Sequence, residues 1–111
     1  MADAAEAWLD FEPEFANALR DLSVGEDVLL LTWLHRADRN VLRVHPRDDG
    51  GAPLRGVFST RSHDRPDPIG IHRVRILEVQ SPRRFRVSGL EAFDRTPILD
   101  VKPVFDAIQE R

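Results

Sequence analysis

The sequence predicts a mostly β domain, a small antiparallel β-barrel with one short helix. Three observations carry that reading. Short apolar and β-branched runs recur along the chain, separated by Gly, Pro, Asn and Asp turn signals. Only one stretch shows helical spacing, and no strand–helix–strand alternation follows it, which excludes a Rossmann-type fold. No Gly-rich phosphate loop of the G-x-G-x-x-G or G-x-x-x-x-G-K-[ST] kind is present, and there are no internal repeats. At 111 residues the chain is expected to form a single domain, 1–111, with a core of useful size.

The elements follow in order. Ala7-Trp8-Leu9-Asp10-Phe11 alternates, with Ala7, Leu9 and Phe11 on one side, and predicts a strand. Pro13 suits a first helical turn, and Phe15, Leu19 and Leu22 share one face, so a short helix is expected over 13–22. Val28 to Leu34 is a continuous apolar run and predicts a central strand buried on both faces, or nearly so. Ala37 to Asn40 turns into a strand at Val41–His45, and Pro46 to Pro53 forms a solvent loop. Val57 and Phe58 predict another strand. Ile69 to Val79 is the clearest strand, with Val74, Ile76 and, past a bulge, Leu77 and Val79 inward, and Arg73, Arg75 and Glu78 outward. Ser81-Pro82-Arg83 turns into a hairpin partner at Phe85–Val87. Pro97 and Pro103 frame an extended piece, Ile98–Val101, and Phe105 to Ile108 suggests one last turn.

Composition narrows the function. There is no cysteine, which excludes disulfides, thiolate catalysis and cysteine-ligated zinc, and which fits a cytoplasmic protein. No apolar run is long enough to span a membrane, and the acidic start Met1 to Glu6 is no secretory signal. The formal charge of −3 and pI near 5.8 argue against a strong general nucleic-acid binder. Yet arginine dominates from Arg36 to Arg95, and Lys102 is the single lysine, so a polyanion would bind the arginine-bearing side.

The residues between Arg61 and Pro68 form the most informative loop. Pro66 and Pro68 stiffen it and exclude a helix, so Arg61, Ser62, Asp64, Arg65 and Asp67 are presented from a backbone with little freedom. Rigid polar loops between strands often hold a ligand. Arg61 and Arg65 could equally bridge to Asp64, Asp94 or Asp100, and Asp100 and Lys102 read best as a buried ion pair. Asp67, Asp94 and Asp100 could act as acid–base groups, but aspartates beside proline more often cap turns. The histidines His35, His45, His63 and His72 fit no zinc spacing, so no metal is expected. Ser59 and Ser62 lack the G-x-S-x-G context of a hydrolase nucleophile.

Two segments carry a family likeness. Gly56-Val57-Phe58-Ser59-Thr60-Arg61-Ser62-His63-Asp64-Arg65-Pro66-Asp67-Pro68-Ile69-Gly70 and Asp94-Arg95-Thr96-Pro97-Ile98-Leu99-Asp100-Val101-Lys102-Pro103 occur in the right order, with a weaker match at Trp33-Leu34-His35-Arg36-Ala37. Together they resemble the TsaA-like family of tRNA N6-adenosine methyltransferases, from about Ala7 to Pro103. The chain departs from the family at three points: His63 stands for Pro, Asp67 for Asn and Arg95 for Gly. The Arg95 change disfavours a positive φ. The family's first strand and a Pro-Arg-Gln segment would precede the start of this chain, so it reads as N-terminally shortened.

The resemblance implies a β-barrel homodimer that uses S-adenosyl-L-methionine to methylate threonylcarbamoyl-adenosine in tRNA. By matching position, cofactor contacts would fall on His35, Arg36, Arg61, Ile71, Asp94, Arg95, Thr96 and Pro97. Ser62, Arg65 and Asp67 become substrate or loop candidates. No general base is identifiable. The resemblance also implies that a cofactor pocket lacking the Pro-Arg-Gln segment closes on a second subunit, with Trp8 at the interface. Two other readings stay open: a cofactor- or nucleotide-binding barrel without turnover, and a methyltransferase for a small-molecule acceptor.

Overall fold

Alternation in the first segment produces strand β1, Glu6–Asp10, which buries Leu9 and half-buries Ala7. The computed structural model describes residues 5–46 and 49–105. Strands β2, Asp27–Trp33, β5, Ile69–Ser81, β6, Arg84–Ser88, and β7, Ile98–Pro103, join β1 in one antiparallel sheet ordered β1-β6-β5-β2-β7. A two-stranded ribbon, β3 at Arg43–Val44 and β4 at Arg55–Gly56, stands apart. The fold is mostly β with one short helix, as the sequence predicts.

The two edges of the sheet share one core. Leu9 of β1 and Val101 of β7 pack on the same cluster as Val28, Leu30, Val74, Ile76, Phe85 and Val87. Both also border a single small gap in that core. Phe11 meets Phe85 edge-on, with ring centroids 6.0 Å apart, a geometry that aromatic quadrupoles favour.

Several expectations are corrected. The helix expected over 13–22 is a 3-10 helix, Pro13–Leu19, with Leu19 buried but Phe15 half exposed. Arg20, extended at φ −60° and ψ 152°, takes the chain out of helical geometry, and Asp21 follows at φ 73°, both before Gly25. Strand β2 is central, but it is not buried on both faces. Val28, Leu30 and Thr32 are buried, whereas Leu29, Leu31 and Trp33 are only half covered. The strand expected over Val41–His45 shrinks to Arg43–Val44, and Leu42 is exposed.

Val57 and Phe58 do not form a strand. Residues Val57–Ser59 make a 3-10 turn, and Phe58 is exposed. The hydroxyls of Ser59 and Thr60 donate to the carbonyls of Gly56 and Val57, both at 2.8 Å, which overrides the β preference of the apolar pair. In β5 the bulge is present as register shifts after Ile76 and Val79, but Val79 is exposed instead of inward. Residues 106–108 of the expected final turn lie outside the described residues.

The outer face of the sheet carries an apolar strip with charged flanks. Leu31 lies opposite Ile71, and Trp33 opposite Ile69, across β2 and β5. Ile69 and Ile71 are both exposed. At one end Asp27 is gripped by Arg75 at 2.8 Å and Arg73 at 3.0 Å, and the bond from Arg75, then that from Arg73, holds its carboxyl below the usual range. Among the described residues no helix is long and apolar enough to cross a membrane.

Candidate active site beneath the central loop

Three loops converge above one end of the sheet. The first follows β2. The amide of Leu34 donates to the Pro68 carbonyl at 2.8 Å, and that of Ala37 to the Leu34 carbonyl at 3.0 Å. The strand therefore ends in a tight turn that delivers His35 and Arg36 to one side.

The second is the stiff central loop. The Arg65 guanidinium donates to the carbonyls of Val57 at 2.8 Å, Ser62 at 3.0 Å and Thr60 at 3.1 Å. A planar cation with five donors can hold three carbonyls at once. Two further bonds lash this loop to the turn after β2. The amide of Asp38 donates to the Asp64 carboxylate, and Nε of Arg39 donates to the Pro66 carbonyl, each at 2.8 Å. Asp67 pairs with Arg39 at 3.5 Å on the exposed side.

The third loop runs from Glu91 to Pro97. Both the amide and the hydroxyl of Thr96 donate to the Phe93 carbonyl, closing a turn, and the Trp33 amide donates to the Pro97 carbonyl at 2.9 Å. Arg95 sits at φ 64°. The sequence disfavours a positive φ at this non-glycine residue, but the turn takes it nonetheless, held by its bonds at Thr96 and Pro97.

These loops and the β3–β4 ribbon line an open cavity of about 1120 Å³. Its wall includes His35 and Arg36 from the first loop, Arg61 and Ser62 from the second, and Thr96 from the third. Five of the sequence-derived candidates are thus brought together from segments far apart in the chain. Asp94, Arg95, Pro97, Arg65, Asp67 and Ile71 are not in the wall. Pro97 and Arg65 anchor the loops that form it. Asp94 and Arg95 are exposed at the turn, and Ile71 lies on the outer sheet face. Asp100 and Lys102 do pair, at 3.0 Å, but the pair is exposed and not buried. Lys102 first, then the Val101 amide, lowers the Asp100 carboxyl.

Arg73, Arg75, Arg84, Arg86 and Arg39 have carboxylate partners, whereas Arg36, Arg55 and Arg61 form no ion pair among the described residues. Between β2 and β5, Thr32 Oγ1 lies 2.8 Å from His72 Nε2. Burial, and secondarily the charge of His63, pushes the His72 imidazole below its ordinary value.

A family model described as the tRNA-methyltransferase O N-terminal domain, TrmO_N, matches residues 1–110. The chain belongs to the TrmO_N family. It is 43% identical over 103 residues to a probable S-adenosyl-L-methionine-binding protein of Methanothermobacter thermautotrophicus, covering 93% of this chain and 72% of that one. It is 40% identical over 107 residues to RcsF of Pseudomonas aeruginosa, named a putative S-adenosylmethionine-dependent methyltransferase, covering 93% of this chain and 46% of that one. A crystal structure of TrmO superposes with a TM-score of 0.71 at 35% identity, over 99% of this chain and 50% of that one. The TrmO crystal structure from Pseudomonas aeruginosa gives 0.70 at 33% identity, over 99% and 48%. The chain spans about half the length of these TrmO chains. The family expected from the two motifs is borne out, and the names of its relatives agree with the expected cofactor.

The TrmO_N cavity in this chain also includes residues that sequence reasoning left aside. His45, whose Nδ1 lies 2.7 Å from the Ala52 carbonyl oxygen, lines it, as do Arg55, His63, Glu91 and Phe93. Phe93 had one available signal, its position directly before the second motif. Arg55 and His45 had none, because the ribbon that carries them is only two residues deep on each side.

Proposed function

We propose that the chain is an S-adenosyl-L-methionine-dependent methyltransferase whose acceptor is an adenosine in tRNA. One observation carries the reading: His35, Arg36, Arg61, Ser62 and Thr96, matched to the family by motif alone, line a single cavity. The donor fits that wall chemically. Its carboxylate suits Arg61 or Arg36, both free of ion pairs among the described residues, and its cationic end suits Asp64 and Glu91. The cavity exceeds the roughly 300–1,000 Å³ of a typical small-molecule site, which leaves space for an acceptor.

S-adenosyl-L-methionine, when bound, supplies a methyl group already activated on a sulfonium. The residues of the chain orient and enclose. Arg61 fixes the amino-acid end, the Arg65-clamped loop keeps the wall rigid, and Thr96 holds the third loop against the cavity. Rigid placement of both reactants is the main contribution such a site makes. Arg55 and Arg36 at the wall, without an ion pair among the described residues, attract the phosphates of tRNA.

The same proposal extends to assembly. The chain acts as a cytoplasmic homodimer with a barrel-like sheet. Support comes from the exposed strip of Ile69 and Ile71 beside Leu31, which a second copy would cover. Ile71 lies outside the cavity of its own chain, which fits a cofactor site completed across that interface. Leu9 and Val101 sharing one core support the barrel.

The test is methyl transfer to tRNA carrying threonylcarbamoyl-adenosine, read by nucleoside mass. A gain of one methyl group on the adenosine is expected. Folded dimer that gives no gain, while binding the donor, would favour the binding barrel without turnover.

A further inference from the structure

Phe93 is a large aromatic side chain left 61% exposed at the wall of the cavity. The Arg36 guanidinium stands over its ring at 4.3 Å from the centroid. The backbone of Phe93 is not loose. Its carbonyl accepts from both the amide and the hydroxyl of Thr96, so the ring is carried on a closed turn. The position is specific to the site: Phe93 directly precedes the turn of the second motif, and Arg36 comes from the end of β2.

We propose that Phe93, backed by Arg36, is a stacking platform for an adenine ring. The inference rests on the proposed methyl-transfer reading, in which donor and acceptor each bring an adenine to the cavity. A guanidinium over one face of an aromatic ring presents a broad flat π surface and keeps the ring from folding onto the core. Bases stack on such aromatics with substantial affinity, and the remaining exposed surface of Phe93 faces no competing side-chain partner among the described aromatic contacts. Other rings are exposed too, Phe58 at 76% and Phe15 at 51%, but among the described Phe and Trp residues only Phe93 lies in the cavity wall.

The test compares wild type, Phe93→Ala and Phe93→Trp by calorimetric titration. The ligands are S-adenosylhomocysteine, the adenine-free S-ribosylhomocysteine, and an anticodon stem-loop RNA containing the target adenosine. Melting temperature checks that both variants fold, which the exposure of Phe93 favours. If the donor adenine stacks here, Phe93→Ala weakens S-adenosylhomocysteine roughly 5- to 150-fold and Phe93→Trp restores it. S-ribosylhomocysteine is then unaffected. If the acceptor adenine stacks here, the loss appears with the RNA alone, which upholds the platform and assigns it to the acceptor. Wild-type binding of both ligands that Phe93→Ala leaves unchanged overturns the platform and spares the methyltransferase reading. Wild-type protein that binds neither adenine-bearing ligand overturns both.

Discussion

The hydroxyl of Thr32 and Nε2 of His72 meet at 2.8 Å between β2 and β5, and Gly70 makes that contact possible. Thr32 is buried and pairs across the ladder with Gly70. A Cβ at Gly70 would lie 2.6 Å from the Thr32 hydroxyl and 2.7 Å from His72 Nε2. Both distances are inside van der Waals contact. The glycine that ends the first family motif is therefore a matter of space at this point, and its backbone freedom is not what is used. Gly70→Ala is expected to destabilise by about 1–3 kcal/mol through overpacking. A denaturant midpoint equal to wild type would show that the Thr32 and His72 side chains can give way.

Stability should depend on pH through His72. Burial first, and His63 second, lowers its imidazole below 6.5. As pH falls below that value the unfolded chain takes up the proton before the folded one, so stability is lost. The contribution is fully present above 6.5 and disappears as pH falls through the folded value. Melting temperatures from about pH 8 down to pH 5 should fall in wild type, and His72→Gln should flatten that limb. Parallel curves for the two proteins would remove His72 as the cause.

Arg95 holds a left-handed backbone, φ 64°, where the family pattern has glycine. That conformation costs an L-residue about 1–2 kcal/mol, and glycine's extra unfolded-state freedom offsets part of the gain. Arg95→Gly should thus stabilise the domain by roughly 0.5–1 kcal/mol. Urea titration decides this, and a destabilised variant would mean that the arginine side chain has a partner of its own.

Much of this arrangement was legible before the fold was known. The alternation of β1, the bulged β5 and the β5–β6 hairpin follow from apolar spacing. The convergence of His35, Arg61 and Thr96 follows from the motifs. Other parts were not legible, because they depend on contacts distant in the chain. Val57 and Phe58 have strand propensity, but the Ser59 and Thr60 hydroxyls donate to the Gly56 and Val57 carbonyls, each three residues back, and hold a turn. The run Val28–Leu34 looks buried on both faces because its outer side chains are apolar, yet in one chain that face is half open. Phe93 had only its place before the second motif and Arg55 had no periodic or motif signal, since their roles depend on where loops close.

Arg65 is expected to be a loop clamp above all. Its three bonds go to the carbonyls of Val57, Thr60 and Ser62. Hydrogen bonds from a charged donor contribute about 1.5–3 kcal/mol, so Arg65→Ala should destabilise by about 2 kcal/mol and expose the loop amides to hydrogen exchange. Arg65→Lys should recover only part, because one ammonium cannot serve three carbonyls in a plane. Full recovery by lysine would show that charge alone suffices.

Arg61 tests the site itself. It lines the cavity, it is exposed, and it forms no ion pair among the described residues, so its removal leaves no partner stranded. Titration of S-adenosyl-L-methionine into wild type and Arg61→Ala, with melting curves for both, is the most direct measurement. Loss of a charge-assisted bond to the donor carboxylate should weaken binding roughly 10- to 150-fold with the melting temperature unchanged. Equal affinity in the two proteins, each fully folded, would contradict the assignment of this cavity as the donor site.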